Sequence, residues 1–424
     1  MLDIKFIRNN PDKVKEACKN KQVKVDIGKL LDIDEKRRDV LQAIEAIRAK
    51  KNEASDRIAK SKLDSEKKGI ILKMKELDKK GERIEKSLKI LTQEFDNLML
   101  QIPNIPFDDV PVGKDETENV VMKEVGEKSC FDFKVRDYLE IAENLDLIDV
   151  KRAAKTSGTR FGFIKREAAL LEFSLIGLAL ETLTKENFIP VVPPVMIKPE
   201  MAKGMGYPEQ FDGDEAYYVE KDNLYLVGTA EQSLGPMHAD EIFDEKELPR
   251  RYVAFPSTSF RREAGAYGKD TKGIFRVHQF DKIEMFIFCH PEEAKKEHIF
   301  LLSLEERLMQ LLKIPYRVIQ MCTGDLGFPA ASKYDIEAWI PSQNRYRETH
   351  STSNCTDFQA RRLNIRFRDK TGKLNFVHTL NGTAFAIGRT LIAIIENYQQ
   401  KDGSILVPEV LQKYLPFKEI YPVK

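Results

Sequence analysis

The chain has 424 residues, too many for one ordinary domain, and 42% of them are hydrophobic, which excludes general disorder. Its 69 Lys/Arg against 68 Asp/Glu leave a formal charge of +1, so a polyanion would have to be met by a local basic patch and not by the total field. The five cysteines (Cys18, Cys130, Cys289, Cys322 and Cys355) form no CxxC pair, which argues against a disulfide framework and a zinc ribbon. No apolar run approaches the roughly 20 residues of a membrane span, and the opening MLDIKFIRNNPDKV has no apolar signal core. The chain reads as cytoplasmic, with no membrane partner.

Residues 1–102 are expected to form an N-terminal domain built on a helical hairpin at about 27–100. Core positions run Ile33, Arg37, Val40, Ile44, Ile47, Lys51, Ala54 and Ile58. After a polar turn at Ser61–Gly69 they resume as Met74, Leu77, Gly81, Ile84, Leu88, Leu91, Phe95 and Leu98. Alternating steps of three and four make a heptad seam, and the short turn makes the two halves antiparallel partners about 40 Å long. From Arg48 to Lys80 there are 12 Lys/Arg and 6 Asp/Glu, a net of +6, whereas the base of the hairpin carries a net of −2. Such a basic tip either solvates a thin helix pair or touches a polyanion.

Three prolines between Ile102 and Pro111 end the helix, so residues 103–132 read as a linker and 133–424 as a second domain. There the pattern predicts a helix over Ile164–Lys185 and a β-branched stretch at Phe188–Val195. Strands are expected near Tyr217–Val227, Arg251–Arg262, Phe275–Phe288, Tyr334–Ile340 and Leu374–Leu380, then a helix over Ala384–Gln399. With no P-loop, no GxGxxG and no regular βαβ alternation, the fold class is α+β, an antiparallel sheet flanked by helices.

The stretch from Ser259 to Met285 carries the chemistry. Along its second strand Phe275, Val277, Ile283, Met285 and Ile287 share one face, while Arg276, His278, Phe280, Lys282 and Glu284 share the other at about 6–7 Å intervals. The glycine-punctuated loop Gly265–Gly273 returns the chain so that Arg261 and Glu263 lie beside that polar face. Guanidinium groups clamp phosphates, an aromatic ring stacks on a base, and a carboxylate holds an ammonium, so this face suits ATP and an amino acid together.

This hairpin, of the form F-R-x-E…R-x-H-Q-F-x-K-x-E, resembles motif 2 of class II aminoacyl-tRNA synthetases in their seryl family. Asn381-Gly-Thr-Ala-Phe-Ala-Ile-Gly-Arg389 resembles motif 3, and the helix leading into Ile189-Pro-Val-Val-Pro-Pro194 resembles motif 1, which sits at the dimer interface in this class. Gly228-Thr-Ala-Glu231 is similar to the family's serine-binding loop. Arg347-Glu-Thr-His-Ser-Thr-Ser-Asn-Cys-Thr-Asp-Phe-Gln-Ala-Arg-Arg362 is similar to its ATP and metal segment, and the helical hairpin to its tRNA-binding arm. Two departures stand out: His350 where the family commonly has serine, and Thr383 where it often has serine after Asn381-Gly.

The resemblance implies an ATP-dependent ligase that makes seryl-adenylate and loads serine tRNA, with selenocysteine tRNA a further candidate, releasing diphosphate and AMP. It implies catalytic roles for Arg261, Arg276 and Arg389. ATP would contact Arg261, Arg262, Glu263, Val277, Phe280, Glu348, Thr349, His350, Ser351 and Arg389, with Mg²⁺ on Glu348 and Ser351. Serine would contact Thr229, Ala230, Glu231, Arg261, Glu284, Asn381 and Thr383. The expected tRNA contacts are Lys60, Lys62, Lys67, Lys68, Lys73 and Lys75 on the arm of a homodimer. The rival is an amino acid ligase acting on a carrier protein, which shares the core and needs no basic arm.

Overall fold

The computed structural model describes residues 1–60, 63–207, 215–255, 258–264, 270 and 272–422. It divides into two compact units, Met1–Pro103 and Asn104–Lys424.

The first unit opens with two short helices, α1 (Ile4–Asn9) and α2 (Pro11–Asn20), followed by two long ones, α3 (Ile27–Lys60) and α4 (Asp64–Leu100). The protected positions of the long pair are those of the predicted seam. Ile33, Ile44, Ile47 and Phe95 are buried, while Ala54, Ile58, Met74, Leu77, Ile84, Leu88 and Leu91 are half-buried. Contacts run in opposite senses along the two helices: Arg37 lies over the Phe95 ring at 4.0 Å, Lys51 bonds Asp78, and Arg48 approaches Glu85 at 3.9 Å. Polar Arg37 and Lys51 thus fit the seam by snorkelling to partners. At the base, Asp34 is fully buried and takes Arg8 at 2.6 Å and Arg37 at 3.4 Å, an ion cluster that ties the short helices to the hairpin.

The hairpin is longer than its heptads suggest. Residues 64–69, expected in the turn, are the first turns of α4, whose 37 residues span about 55 Å. Lys60 ends α3; Lys67, Lys68, Lys73 and Lys75 stand on the first half of α4; Lys62 lies outside the described residues.

The second unit is built on a nine-stranded sheet. Its strands are β1 (Val120–Val125), β2 (Ile189–Val191), β3 (Arg250–Ala254), β4 (Thr258–Phe260), β5 (Gln279–Cys289), β6 (Tyr316–Gln320), β7 (Ser332–Ile340), β8 (Arg345–Asn354) and β9 (His378–Ala386). They lie in the order β1-β6-β7-β8-β9-β5-β3-β2, with β4 added on β5, and every pair is antiparallel except β2 with β3. Helices α5 (Arg166–Thr184), α6 (Ala294–Leu311) and α7 (Ile387–Asn397) pack on the sheet through one large core. That core takes Ile283, Met285 and Ile287 from one face of β5, and a smaller aromatic core takes Phe286 and Phe288 from the other.

Three expectations are corrected. Residues 103–132 are not a free linker. Asn104 is buried and donates to the carbonyls of Pro329 and Cys355 at 2.9 Å, Val110 packs with Ile319, Met321 and Leu326, and Val120–Val125 pairs with β6 as an edge strand. Proline stops helix there, but the extended chain it leaves finds hydrogen-bond partners at the sheet edge. The strand expected from Phe275 starts at Gln279, because Gly273 (φ +77°) turns against Tyr138, whose hydroxyl takes the Ile274 N–H at 3.0 Å. The stretches at Tyr217–Val227 and Leu374–Leu380 each divide into two short strands or strand pieces.

Candidate active site

A cavity of about 290 Å³ opens over the four central strands β7, β8, β9 and β5. Two β-bulges decide which side chains reach it. Across β7 and β8, Ile336 pairs with His350 and Glu337 with Glu348, so Thr349 is one residue extra. Strict alternation would put Glu348 and Ser351 on opposite faces; the bulge brings both to the cavity. Across β5 and β9, Ile283 pairs with Phe385 and Glu284 with Thr383, so Ala384 is extra, and Asn381, Thr383 and Ala386 all line the cavity.

One end of the cavity is acidic. Glu284 on β5 is 1% exposed and accepts from Lys282 Nζ at 2.5 Å. Glu231, at the start of a short helix, is 4.0 Å from the same Nζ, and its Oε2 takes the Tyr207 hydroxyl at 2.6 Å. The Thr229 hydroxyl lies between the two acids, 3.2 Å from Glu231 and 3.3 Å from Glu284. Burial pushes the Glu284 carboxyl up to about 7 against the pull of Lys282. Asn381 is 4% exposed and lines the cavity, and among the described residues its Nδ2 has no partner.

The other end is rich in cations. Arg261 donates to the Gly228 carbonyl at 3.0 Å and lies over the Phe280 ring at 5.3 Å. Arg276 pairs with Glu263 at 2.6 Å; Glu263 sits at φ +53°, a strained conformation for a non-glycine, with its carbonyl taken by Arg160 at 3.2 Å. Arg389, in the first turn of α7, pairs with Glu348 at 3.1 Å and lies over Phe275 at 4.8 Å. Burial opposes ionisation of Glu348, but Arg389 and Lys333 outweigh it and hold the carboxyl down to about 2. Opposite Ser351 in the strand pairing, Asp335 on β7 pairs with Lys333 at 3.5 Å.

Most of the expected site residues converge here: Arg261, Glu263, Arg276, Val277, Phe280, Glu348, Thr349, His350, Ser351 and Arg389 line the cavity, as do Glu231, Glu284, Asn381 and Thr383. Three are displaced from it: Thr229 is buried behind the two acids and does not line the cavity. Arg262 turns to the Tyr217 ring at 5.8 Å, and Ala230 packs in the aromatic core. His350 reaches the rim, but its ring is 1% exposed, edge-on to Phe385 and bonded to the Thr349 hydroxyl at 2.8 Å. Burial lowers its pKa to about 4, so it is a neutral packing group at neutral pH. Sequence reasoning missed Tyr207, Lys333, Asp335 and Glu305. The alternation Lys333-Tyr334-Asp335, which puts a cation and a carboxylate on one face of a strand, was a legible signal; Tyr207 left none.

This arrangement is a class II aminoacyl-tRNA synthetase core. Residues 217–398 match the family described as tRNA synthetase class II core domain (G, H, P, S and T), and residues 1–106 match the seryl-tRNA synthetase N-terminal domain. The chain is 45% identical to the serine–tRNA ligase of Dictyoglomus turgidum over 100% of both chains, and 45% identical to that of Pyrococcus furiosus over 100% of this chain and 98% of the other. Its fold superposes on the seryl-tRNA synthetase of Pyrococcus horikoshii complexed with ATP with a TM-score of 0.92 at 41% identity, covering 100% of both chains. The chain belongs to the serine–tRNA ligase family.

Glu305 on α6 explains the glycine of Asn381-Gly-Thr383. A Cβ at Gly382 would stand 2.9 Å from Glu305 Oε1, so only glycine lets this fully buried carboxyl reach the back of β9. Burial, with Asp335 and Glu284 nearby, raises its pKa well above the usual carboxylate range. A carboxyl whose folded pKa is raised favours the native state below its unfolded pKa of about 4.3, and that contribution is lost as pH rises. Glu305→Gln should therefore stabilise the protein over the parent increasingly from pH 4 to pH 8, read as a widening Tm difference; a difference independent of pH would contradict a neutral Glu305.

Proposed function

We propose that this cavity performs the serine–tRNA ligase reaction with its acidic end on the amino acid and its cationic end on ATP. The observation that carries this reading is the presence of both ends in one 290 Å³ cavity. The serine carboxylate attacks the α-phosphorus, the bond from that phosphorus to the β-bridging oxygen breaks, and diphosphate leaves. A ribose hydroxyl at the tRNA end then attacks the acyl carbon and AMP leaves. The nucleophile of the first step is already an anion, so positioning and charge neutralisation are what the protein must supply.

Arg261 clamps the α-phosphate, and Arg276 and Arg389 face the β and γ phosphates. Phe280 stacks on adenine while Glu263 and the Val277 backbone read its edge. Glu231 and Glu284 take the ammonium and hydroxyl of serine, with Thr229, Asn381 and Thr383 completing the pocket. A site built to bond a hydroxyl rejects alanine strongly, because the buried acceptors would be left unpaired. Glu348 and Ser351 fit a hard cation, since the bulge puts two oxygen donors on one face of the cavity. Two protein oxygens beside substrate phosphates match the way Mg²⁺ is held; when bound, it neutralises diphosphate charge.

The basic arm is proposed to contact the tRNA backbone. Homodimerisation is supported by the apolar side chains that α5 and β2 leave exposed, Phe173 at 67% and Ile189 at 42%, with Val192 beside them at 74%. Five cysteines outside any disulfide among the described residues, four of them buried, support a cytoplasmic setting.

L-serine should drive ATP–diphosphate exchange without tRNA, and glycine, alanine or threonine should not match it. Arg261→Ala should lower that exchange about 100- to 1,000-fold with the circular dichroism spectrum unchanged; a loss under tenfold would remove Arg261 from the chemistry. Sedimentation should give about twice the 48.8 kDa chain mass at micromolar concentration, and a single-chain mass would refute the dimer. Replacing Ile33–Leu98 by a short Gly/Ser linker should leave exchange intact and abolish tRNA charging. In the intact protein each phosphate contact should add about 0.7–0.9 to the log–log salt slope of tRNA affinity. Undiminished charging by the armless protein would make the arm a spacer and favour the carrier-protein ligase.

A further inference from the structure

Lys282 is the side chain the roles above leave without a task. It is 8% exposed, and its ammonium bonds Glu284 Oε2 at 2.5 Å and faces Glu231 Oε1 at 4.0 Å. A serine ammonium directed to Glu284 therefore competes with Lys282 for the same oxygen. Two ammonium groups cannot share one buried carboxylate without strong repulsion, because the low local dielectric magnifies the interaction.

Position along the strand indicates where Lys282 goes. Phe280, Lys282 and Glu284 alternate on the same face of β5 and all line the cavity. At about 6–7 Å per pair of residues, the order is base, lysine, ammonium site. In a serine and ATP pair held at those two ends, the group between them is the serine carboxylate meeting the α-phosphate. Arg261 approaches from the neighbouring chain segment, where it is tied to Gly228.

We infer that Lys282 binds the substrate carboxylate: it yields Glu284 to the serine ammonium and turns its three donors to the nucleophile. This rests on the assignment of Glu231 and Glu284 to the amino acid. The zwitterion suits the exchange, since its positive end replaces the lysine on the acid pair and its negative end supplies the lysine with a new partner. The four-carbon stem allows the shift while the backbone stays paired to Ala386.

The test is calorimetric binding of L-serine and of serinol, which keeps the ammonium and hydroxyl but has no carboxylate, to the full-length protein. In Lys282→Met, L-serine affinity should fall at least tenfold while serinol affinity holds or rises, because a competing cation is gone. Lys282→Gln should show the same selective loss, so either variant that keeps the parent's circular dichroism decides the matter. Equal losses for both ligands would make Lys282 a structural counter-ion of the acids, and no loss for either would remove it from the site; each outcome overturns the inference. Glu284→Gln separates this from the underlying assignment. It should weaken both ligands, and if it weakens neither, the acid pair does not hold the ammonium, whatever Lys282 does.

Discussion

Strand β5 is buried along both faces from Lys282 to Cys289, so its two charged side chains must find partners inside the protein. Isolated charges at that depth would cost several kcal/mol each, and the surrounding residues respond to that cost. Lys282 and Glu284 neutralise each other, Thr229 bridges to Glu231, and Tyr207 caps the remaining oxygen. Apolar residues of comparable volume would fill the same space without such penalties. What the polar cluster supplies is a preorganised set of donors and acceptors facing the cavity.

The same economy governs the cationic end. Arg276 pairs with Glu263, Arg389 with Glu348 and Lys333 with Asp335, so each of these cations has a carboxylate beside it. The carboxylates fix the guanidinium directions, so the cations are held in place and not left to reorient in solvent. The strain at Glu263, with a positive φ held by Arg160 and Arg276, belongs to this device: its neighbours hold the backbone in a conformation that other non-glycine residues seldom take.

The arm follows a different logic. Its seam is narrow and most positions toward the tip are only half-buried, so each heptad contributes modestly and the hairpin gains its length by repetition. Buried ions concentrate at the base, where Asp34 gathers Arg8 and Arg37. The tip is left to largely exposed lysines, so its composition is not set by packing.

The sequence by itself determined the elements whose period is local. The heptad seam, the alternation along β5 and the antiparallel sheet were legible because side chains three, four or two residues apart must share a face. Arg261 and Glu284 were legible as residue types suited to phosphate and ammonium, and the family resemblance added the segments bearing Glu348 and Arg389. Only the tertiary structure decided how they meet. The bulges at Thr349 and Ala384 depend on register against a neighbouring strand, and they alone put Glu348 with Ser351 and Thr383 with Ala386. Residues 104–125 look like a linker because proline breaks helix, yet they are structured because a distant sheet edge offers them backbone partners. Tyr207 and Glu305 carry no local pattern, since each is defined by a contact with a residue far along the chain: Glu231 for one, the space left by Gly382 for the other.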